Sequence, residues 1–267
     1  MLEMLWPGGL TRALTFSYDD GVLQDLKLLK LMKRYGLKGT FNLNSGMFAG
    51  HNHIPEHEIG SAYEGFEVAV HSVTHPDLRR LSAPEVLNEV LNDRKKLERL
   101  VGYPVRGMAY PGGYLDDHVV ELIRCCGIVY ARTVATTDNF SISPEPLRWA
   151  CSCHHDRLAP LVDGFLRNGD DVRLLSVWGH SYEFDRVENG WKGIEAQMEK
   201  LSGHCDVWYC TNIEMFDYCD AFQRLEYSVD GSLALNRSAL EISVRSDRGN
   251  VYLLKPGSCT KLNERNA

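Results

Sequence analysis

The feature that most constrains the fold is a regular alternation of short β-rich runs with helical segments. Eight runs have the length and composition of strands, at residues 13–18, 39–44, 67–72, 107–111, 128–134, 149–154, 174–180 and 207–212. Helical segments separate most of these runs. Such alternation is typical of a parallel α/β sheet or barrel.

The helical segments carry their own signals. Apolar residues recur at helical spacing in residues 22–35, and Gly36 then ends the pattern. Ser82 and Glu85 have the spacing of a capping box, which predicts a helix from there to about residue 100. Further helices are predicted at residues 116–125, 156–167 and 191–201.

The pattern changes near residue 222. Short alternating runs follow at 225–229, 232–235, 239–244 and 251–254, and Asp230-Gly231 and Gly249-Asn250 are hairpin signals between them. We therefore expect residues 1–221 to form a distorted, TIM-like (β/α) barrel of seven or eight parallel strands. Residues 222–267 are expected to form a small antiparallel β extension packed on that barrel.

Composition excludes several functional classes. The net charge is −7 and no dense run of Lys and Arg is present, so no nucleic-acid partner is expected. No window approaches the roughly 20 apolar residues of a membrane span. No leader is legible, which predicts a cytoplasmic location, and the eight cysteines are expected to be reduced. The oligomeric state is not encoded in any recognisable pattern.

In a parallel barrel, the active site forms at the carboxyl ends of the strands. The first predicted strand ends in Asp19-Asp20-Gly21. Gly21 allows the backbone to turn, so that the two carboxylates can take different roles. The alternative interpretation is a solvated turn, because Asp-Asp-Gly is common in loops.

The third predicted strand ends in His71, and His75 follows four residues later. One helical turn would bring the two imidazoles to the same side, at a separation that suits a shared metal. Two histidines and one carboxylate bind one divalent ion and leave positions open. Zn²⁺ is the first candidate, and Co²⁺, Mn²⁺, Ni²⁺ and Fe²⁺ are compatible. A second carboxylate could then accept a proton from water.

Two further groups fit a hydrolytic site. His180 ends the seventh predicted strand and is the candidate general acid, or else a structural histidine at a strand end. The backbone N–H of Gly112 could face a developing oxyanion, or Gly112 could simply form a turn.

Several side chains at the same strand ends could contact a substrate. Tyr110, Tyr114 and Trp178 could stack on a sugar ring, or they could pack at the barrel mouth. His155 could line the site, or it could end the sixth strand. Glu183, which follows His180, could bind hydroxyl groups or an amine.

These motifs resemble those of the polysaccharide deacetylases, also known as the NodB-homology family or carbohydrate esterase family four. The matching segments are Thr15-Phe16-Ser17-Tyr18-Asp19-Asp20-Gly21, His71-Ser72-Val73-Thr74-His75, Tyr110-Pro111-Gly112-Gly113 and Val177-Trp178-Gly179-His180. The resemblance spans about residues 13–215 and implies a distorted (β/α) barrel. It also implies site roles: metal ligands Asp20, His71 and His75, general base Asp19, general acid His180 and oxyanion donor Gly112.

The sequence departs from the family pattern at two informative positions. Ala109 stands where the family has the arginine that orients the base, and Arg106 and Arg132 are the candidates to replace it. We favour Arg132, because it lies on a predicted strand. Trp178 stands where the family has the leucine that shapes the acetyl pocket.

The expected function is metal-dependent removal of an N-acetyl or O-acetyl group from a saccharide. The alternative is hydrolysis of a small non-sugar amide, such as a cyclic imide or ureide, on the same fold. A non-catalytic carbohydrate-binding relic is a third class, which the presence of a complete set of ligands, base and acid disfavours.

Overall fold

The computed structural model describes residues 2–262. Its strands are β1 Leu2–Leu5, β2 Arg12–Asp19, β3 Gly39–Leu43, β4 Glu67–Val70, β5 Gly107–Ala109, β6 Tyr130–Thr136, β7 Trp149–Cys151, β8 Cys153–His154, β9 Arg173–Gly179, β10 Val207–Tyr209, β11 Glu226–Tyr227, β12 Leu233–Leu235, β13 Ile242–Ser246, β14 Val251–Leu254 and β15 Cys259–Lys261. Its helices are α1 Asp25–Arg34, α2 Ile59–Ala62, α3 Ala83–Val101, α4 Asp117–Cys125, α5 Ala159–Leu166, α6 Glu183–Arg186, α7 Gly190–Leu201 and α8 Asn212–Gln223.

Nine of the described strands form one parallel sheet in the order β7-β6-β5-β4-β3-β2-β9-β8, and β10 pairs with the first half of β2. The predicted α/β barrel is therefore confirmed. Strand β2 lies inside the sheet between β3 and β9, and all eight of its residues are buried. A strand covered on both faces is expected in such a sheet, and it delivers Asp19 to the carboxyl end of the barrel.

The barrel is closed by residues 149–154, for which the sequence predicted one strand. The chain instead forms two short strands: β7 pairs with β6, and β8 pairs with β9 at the opposite edge. Ser152 lies between them, and its N–H donates to the Ser176 hydroxyl (2.9 Å) while its own hydroxyl donates to Leu174 O (3.0 Å). Side-chain hydrogen bonds thus replace the strand ladder where the chain changes partner.

The helices cover the outside of the barrel through apolar stripes. Helix α3 begins in the predicted capping box, in which Ser82 and Glu85 each bond the backbone of the other. Its buried residues Val86, Val90 and Leu97 recur at helical spacing. The predicted helices all form, with ends that differ by up to three residues.

The C-terminal strands form two three-stranded antiparallel sheets, β1-β13-β14 and β11-β12-β15. Strand β1 was not predicted, and it pairs with β13 although the sequence assigned it to the barrel. The extension shares a core with the base of the barrel: Ile242, Val244 and Leu254 of the extension are buried in one hydrophobic cluster with Tyr130 and Trp149 of the barrel. The boundary at residue 221 is thus crossed by a continuous hydrophobic core.

Helix α8 was also not predicted, although its start has a sequence signal. Thr211 and Glu214 form a second capping box, with the Ser/Thr-x-x-Glu spacing that was recognised at Ser82.

All eight cysteines are free thiols, as expected. Among residues 2–262, no helix combines the length and the apolarity needed to span a bilayer.

Candidate active site

Three predicted metal ligands converge at the carboxyl ends of β2 and β4. His71 Nε2 lies 3.6 Å from Asp20 Oδ1, and His75 Nε2 lies 3.9 Å from the same oxygen. Bonds of about 2.1 Å to a tetrahedral ion place neighbouring ligand atoms roughly 3.4 Å apart. The separations therefore fit one shared divalent ion with little rearrangement.

The backbone around these ligands adopts unusual conformations. Asp20 and Gly21 both have positive φ, at 81° and 68°, so the turn after β2 uses two consecutive left-handed residues. Positive φ is rare for residues other than glycine, and Asp20 is held in it by its N–H, which donates to Asn42 O at 2.9 Å. This turn directs the Asp20 carboxylate toward the histidines.

His71 and His75 approach each other through a loop and not through the helical turn that the sequence suggested. Ser72 and His75 have φ values of 65° and 57°, and the two imidazole centroids are 4.8 Å apart. The Ser72 hydroxyl accepts a hydrogen bond from the His75 N–H at 3.1 Å. The expected convergence is present, but local left-handed residues produce it.

The His71 ring is oriented by contacts that leave one nitrogen for a ligand. Its Nδ1 lies 2.8 Å from Ala109 O, which assigns the proton to Nδ1. Its Nε2 is buried and has no hydrogen-bond partner among the described residues. Burial lowers the pKa of His71, although Asp19 and Asp20 oppose that shift. A buried, neutral imidazole with a bare Nε2 is the form that binds a metal.

Asp93 holds this arrangement from helix α3, and sequence reasoning missed it. Its carboxylate accepts hydrogen bonds from the N–H groups of His71 (3.0 Å) and Ser45 (2.7 Å). Asp93 lies on the same buried stripe as Val90 and Leu97. An aspartate at an apolar position of an amphipathic helix was the available signal.

Asp19, the predicted base, is buried between two partners. The Asn42 amide donates to Oδ1 at 2.8 Å, and the Arg132 guanidinium contacts Oδ2. Burial by itself raises the pKa of Asp19, but Arg132, His71 and His180 outweigh it and lower the pKa to about 2. The carboxylate is therefore ionised throughout the neutral range.

The structure brings Arg132 to Asp19 and leaves the other candidate arginine elsewhere. Arg132 also donates to Ser17 Oγ (3.2 Å) and Thr133 O (2.9 Å), and its guanidinium lies 4.7 Å from the Trp178 ring centroid. Arg106 instead forms a two-point pair with Asp217.

His180 lies close to both carboxylates. Its Nε2 is 3.9 Å from Asp19 Oδ2 and 4.0 Å from Asp20 Oδ2, and its Nδ1 is 3.3 Å from Glu183 Oε1. Burial lowers the pKa of His180, but Glu183, Asp19 and Asp20 outweigh burial and raise it. The imidazole is thus held by a carboxylate on one side and faces the candidate metal ligands on the other.

Glu183 also contacts two further histidines. His154 Nε2 is 3.0 Å and His155 Nε2 is 3.2 Å from Glu183 Oε2. Burial raises the pKa of Glu183, but hydrogen bonds from His154 and His180 outweigh it and the net pKa is lowered. The sequence analysis located His154, His155 and His180 at strand ends. It did not predict that the Glu183 carboxylate would contact all three imidazoles.

The aromatic residues predicted to contact a substrate occupy different environments. Tyr110 is 1% exposed and donates its hydroxyl to Leu147 O at 2.8 Å, so its ring has no open face for a ligand. Trp178 is 9% exposed and lies between Arg132 and His154. Tyr114 is 48% exposed, with the Arg79 guanidinium over its ring.

Gly112 lies in a tight turn directly after β5, with a φ of 61°. A Cβ at this position would come within 2.7 Å of the Tyr114 ring. The backbone here is therefore close to an exposed aromatic ring, and only glycine fits the turn without displacing it.

An open cleft of about 640 Å³ adjoins Asp20 and His75. Its walls come from the loops after β2, β3 and β4 and from the segment after His180. Most of the lining residues are polar, and they include Gln24, Asn44, Asn52, His53, Thr74, Tyr182, Asp185 and Arg186.

Comparison with known proteins finds a family model that matches the first part of the chain. Residues 9–131 match the family model described as polysaccharide deacetylase. The resemblance inferred from the sequence motifs is therefore confirmed over this part of the chain.

Two similar proteins are named as peptidoglycan deacetylases. The chain is 28% identical over 114 residues to the peptidoglycan-N-acetylglucosamine deacetylase PgdA of Listeria monocytogenes. It is 29% identical over 117 residues to the peptidoglycan-N-acetylmuramic acid deacetylase PdaC of Bacillus subtilis. The matches cover 42% and 44% of this chain, and the chain spans only 24% of the length of each relative.

Solved structures share the fold. A putative polysaccharide deacetylase from Mycobacterium smegmatis has a TM-score of 0.57 at 16% identity, over 82% of this chain and 93% of that one. A mutant of the CE4 family pseudoenzyme BA3943 of Bacillus anthracis, with restored enzymatic activity, has a TM-score of 0.51 at 18% identity. That match covers 77% of this chain and 68% of the other.

Proposed function

We infer that this protein is a metal-dependent hydrolase that removes an acetyl group from an amino sugar of a saccharide. The observation that carries the proposal is the buried, unpartnered Nε2 of His71, which faces Asp20 and His75 beside the ion pair of Asp19 and Arg132. The match to polysaccharide deacetylases and the two named peptidoglycan deacetylases support the substrate class.

Asp20, His71 and His75 would hold the ion, with Zn²⁺ the first candidate. Neutral imidazoles and a carboxylate are suitable donors for it and also for Co²⁺, Mn²⁺, Ni²⁺ and Fe²⁺. A bound divalent ion makes a water molecule more acidic and polarises a carbonyl oxygen.

The remaining residues divide the proton transfers between them. Asp19 is ionised and lies 3.9 Å from both His71 and His180, so it is positioned to accept the proton of the attacking water. His180, supported by Glu183, is positioned to protonate the leaving amine, which departs poorly as an anion. The backbone N–H of Gly112 would face the oxyanion.

The cleft beside Asp20 and His75 supports a saccharide substrate. Polar side chains from four segments can bind hydroxyl groups. The Tyr182 ring, which stacks on His180 at 5.1 Å and has the Arg186 guanidinium 4.4 Å from its centroid, offers an aromatic edge to a pyranose ring. Tyr114, exposed on the side of Gly112, offers a second ring. A cyclic imide or ureide is not favoured, because the named relatives act on acetylated peptidoglycan.

Acetate release tests the proposal. Chelator-treated protein is assayed with N-acetylated chitooligosaccharides and peptidoglycan fragments, with and without added Zn²⁺, Co²⁺ or Mn²⁺. We expect metal-dependent acetate from at least one saccharide. Metal-loaded protein that releases no acetate from any of them would refute the assignment.

Variants separate the ligands from the base. Asp20→Ala, His71→Ala and His75→Ala should lose both bound metal and activity. Asp19→Asn should retain the metal but lose about 10²–10⁴-fold in turnover, the usual contribution of a general base. His57→Ala is the matched control, because its side chain is 80% exposed and belongs to a 3₁₀ turn remote in sequence from the ligands. Full activity in Asp19→Asn would show that another group is the base.

A further inference from the structure

We propose that His154, His155 and Glu183 form a second divalent-cation site, distinct from Asp20, His71 and His75. One ring nitrogen of each imidazole and one carboxylate oxygen all lie within 4.8 Å of one another. The site does not depend on the proposed deacetylase activity, and its occupancy can be measured directly.

The fold itself brings the three residues together. His154 ends β8, His155 follows it, and β8 pairs with β9, so that His154 is in register with Trp178. Glu183 begins the short helix α6, four residues after β9. The ligands thus come from two neighbouring strand ends, which a rigid sheet holds at a fixed separation.

The distances fit a shared ion. Glu183 Oε2 is 3.0 Å from His154 Nε2 and 3.2 Å from His155 Nε2. Zinc bonds of about 2.0–2.2 Å in tetrahedral geometry give ligand separations of roughly 3.3–3.5 Å. Direct hydrogen bonds fit these distances as well, so the required protons distinguish the two cases.

Hydrogen bonds alone would require a proton on each of three imidazole nitrogens. Both Nε2 atoms would need a proton to donate to Glu183. His154 Nδ1 also faces a carboxylate oxygen, Asp156 Oδ1 at 2.8 Å, so His154 would have to be a cation. A divalent ion bound to both Nε2 atoms would displace the Nε2 proton of each ring. His154 would keep its Nδ1 proton and His155 would carry its single proton on Nδ1, so one proton is released and both imidazoles are neutral.

The surroundings of His154 match those of known histidine ligands, whereas the buried Nδ1 of His155 has no hydrogen-bond partner among the described residues. A metal-bound histidine usually donates its other ring N–H to a carboxylate, and Asp156 is placed to accept from His154. The side chains of His154 and Glu183 are 20% and 28% exposed, which leaves an entry path for an ion, whereas His155 is only 6% exposed. Imidazole ligands suit Zn²⁺, Co²⁺ or Ni²⁺.

Glu183 would connect this site with His180. Its Oε2 faces the two histidines, while its Oε1 lies 3.3 Å from His180 Nδ1. An ion on Oε2 would compete with His180 for the negative charge of the same carboxylate. The second site would therefore adjust the candidate acid without contacting the substrate.

Metal stoichiometry tests the proposal. Chelator-treated full-length protein is titrated with Co²⁺, by calorimetry and by metal analysis after desalting, and circular dichroism checks the fold of each variant. We expect two equivalents for the wild type and one each for His154→Ala and Glu183→Gln. His71→Ala, which removes the other site, should also bind one equivalent, and the His71→Ala/His154→Ala double variant none.

The control is His57→Ala, an exposed histidine that should leave both equivalents unchanged. A wild type that binds one equivalent, lost only in His71→Ala, would overturn the second site and leave the deacetylase proposal intact. Two equivalents that persist in both folded His154→Ala and Glu183→Gln would also overturn it. If only the first site fails to bind metal, the wild type should bind one equivalent, which persists in His71→Ala and is lost in His154→Ala.

Discussion

Asp19 has both carboxylate oxygens engaged, one by the Asn42 amide and one by the Arg132 guanidinium. The guanidinium is fixed in turn by Ser17, by Thr133 O and by the Trp178 ring. A planar group with five donors can satisfy all of these contacts at once, and a lysine ammonium cannot. The orientation of the candidate base therefore depends on one specific side chain.

We expect Arg132→Lys to lower kcat/KM by about 100-fold or more while bound metal is retained, because Asp19 loses its fixed partner. Deacetylase kinetics and metal analysis on the same preparation check this. Arg106→Lys is the matched control, since Arg106 pairs with the partly exposed Asp217 and not with the site. Equal losses in the two variants would contradict a positioning role for Arg132.

At the scale of elements, strands β4, β5 and β6 pack closely against one another at the amino-terminal end of the barrel. Tyr130 on β6 reaches past β5 to donate its hydroxyl to Glu67 at the start of β4, at 2.8 Å. A Cβ on Gly107 would lie only 2.2 Å from that hydroxyl. Gly107 is thus required by a close approach across β5 and not by its own φ.

Gly107→Ala should destabilise the protein by about 1–3 kcal/mol, the usual cost of overpacking a rigid core. Urea unfolding followed by circular dichroism measures this. Gly193→Ala is the contrasting variant: its added methyl group meets nothing within 4 Å in helix α7, and alanine is the better helix former. Gly193→Ala should raise the free energy of unfolding by roughly 0.5–1 kcal/mol. An unchanged stability in Gly107→Ala would show that the Tyr130 ring can move away from the added methyl group.

Glu67 makes the free energy of unfolding depend on pH. Burial raises the pKa of Glu67 to about 7, against the opposing hydrogen bonds from Thr40, Ile213 and Tyr130. A carboxyl group with a raised pKa binds its proton more tightly in the folded state. The free energy of unfolding therefore falls as the pH rises from the unfolded pKa to the folded pKa, from about 4.5 to about 7.

Glu67→Gln should remove this contribution. The stability of the wild type relative to Glu67→Gln should decrease by about 2–3 kcal/mol between pH 5 and pH 8, since each unit of pKa shift corresponds to about 1.4 kcal/mol. Urea midpoints of both proteins at the two pH values provide the test. Because Asp25 and Asp93 are present in both proteins, their raised pKa values cancel in the difference. A difference that is independent of pH would mean that Glu67 is ionised when buried.

At the scale of the whole molecule, the first strand joins the C-terminal extension. Strand β1 pairs with β13, and Trp6 is fully buried, with its indole N–H donating to Arg173 O at 2.9 Å. The core of the extension includes Trp149 and Tyr130 of the barrel. The extension and the barrel therefore share buried side chains.

A fragment of residues 1–221 should fail to fold as a stable monomer, because it would expose the apolar base of the barrel and leave β1 without a partner. Limited proteolysis and near-ultraviolet circular dichroism of the fragment, compared with the full chain, check this expectation. A protease-resistant fragment with native near-ultraviolet signals would show that the boundary at residue 221 separates independent units.

Much of the fold and part of the candidate site follow from local patterns. The strands and helices of the barrel were predictable because a strand repeats every two residues and a helix every 3.6. The short strands β1 and β15 were missed, because three or four residues carry too little periodicity. The break between β7 and β8 was also missed, since Ser152 changes partner through contacts with Leu174 and Ser176, which are far away in sequence.

The sequence by itself determined that Asp19, Asp20, His71 and His180 would gather at one rim, because parallel strands carry their last residues to the same edge. Only the tertiary structure decided which groups would touch. It selected Arg132 over Arg106 for Asp19, joined Glu183 to three histidines and paired the first strand with β13. These contacts connect residues that are distant along the chain. No local period encodes them, and they arise only when the closed barrel fixes the angles and separations of its strands.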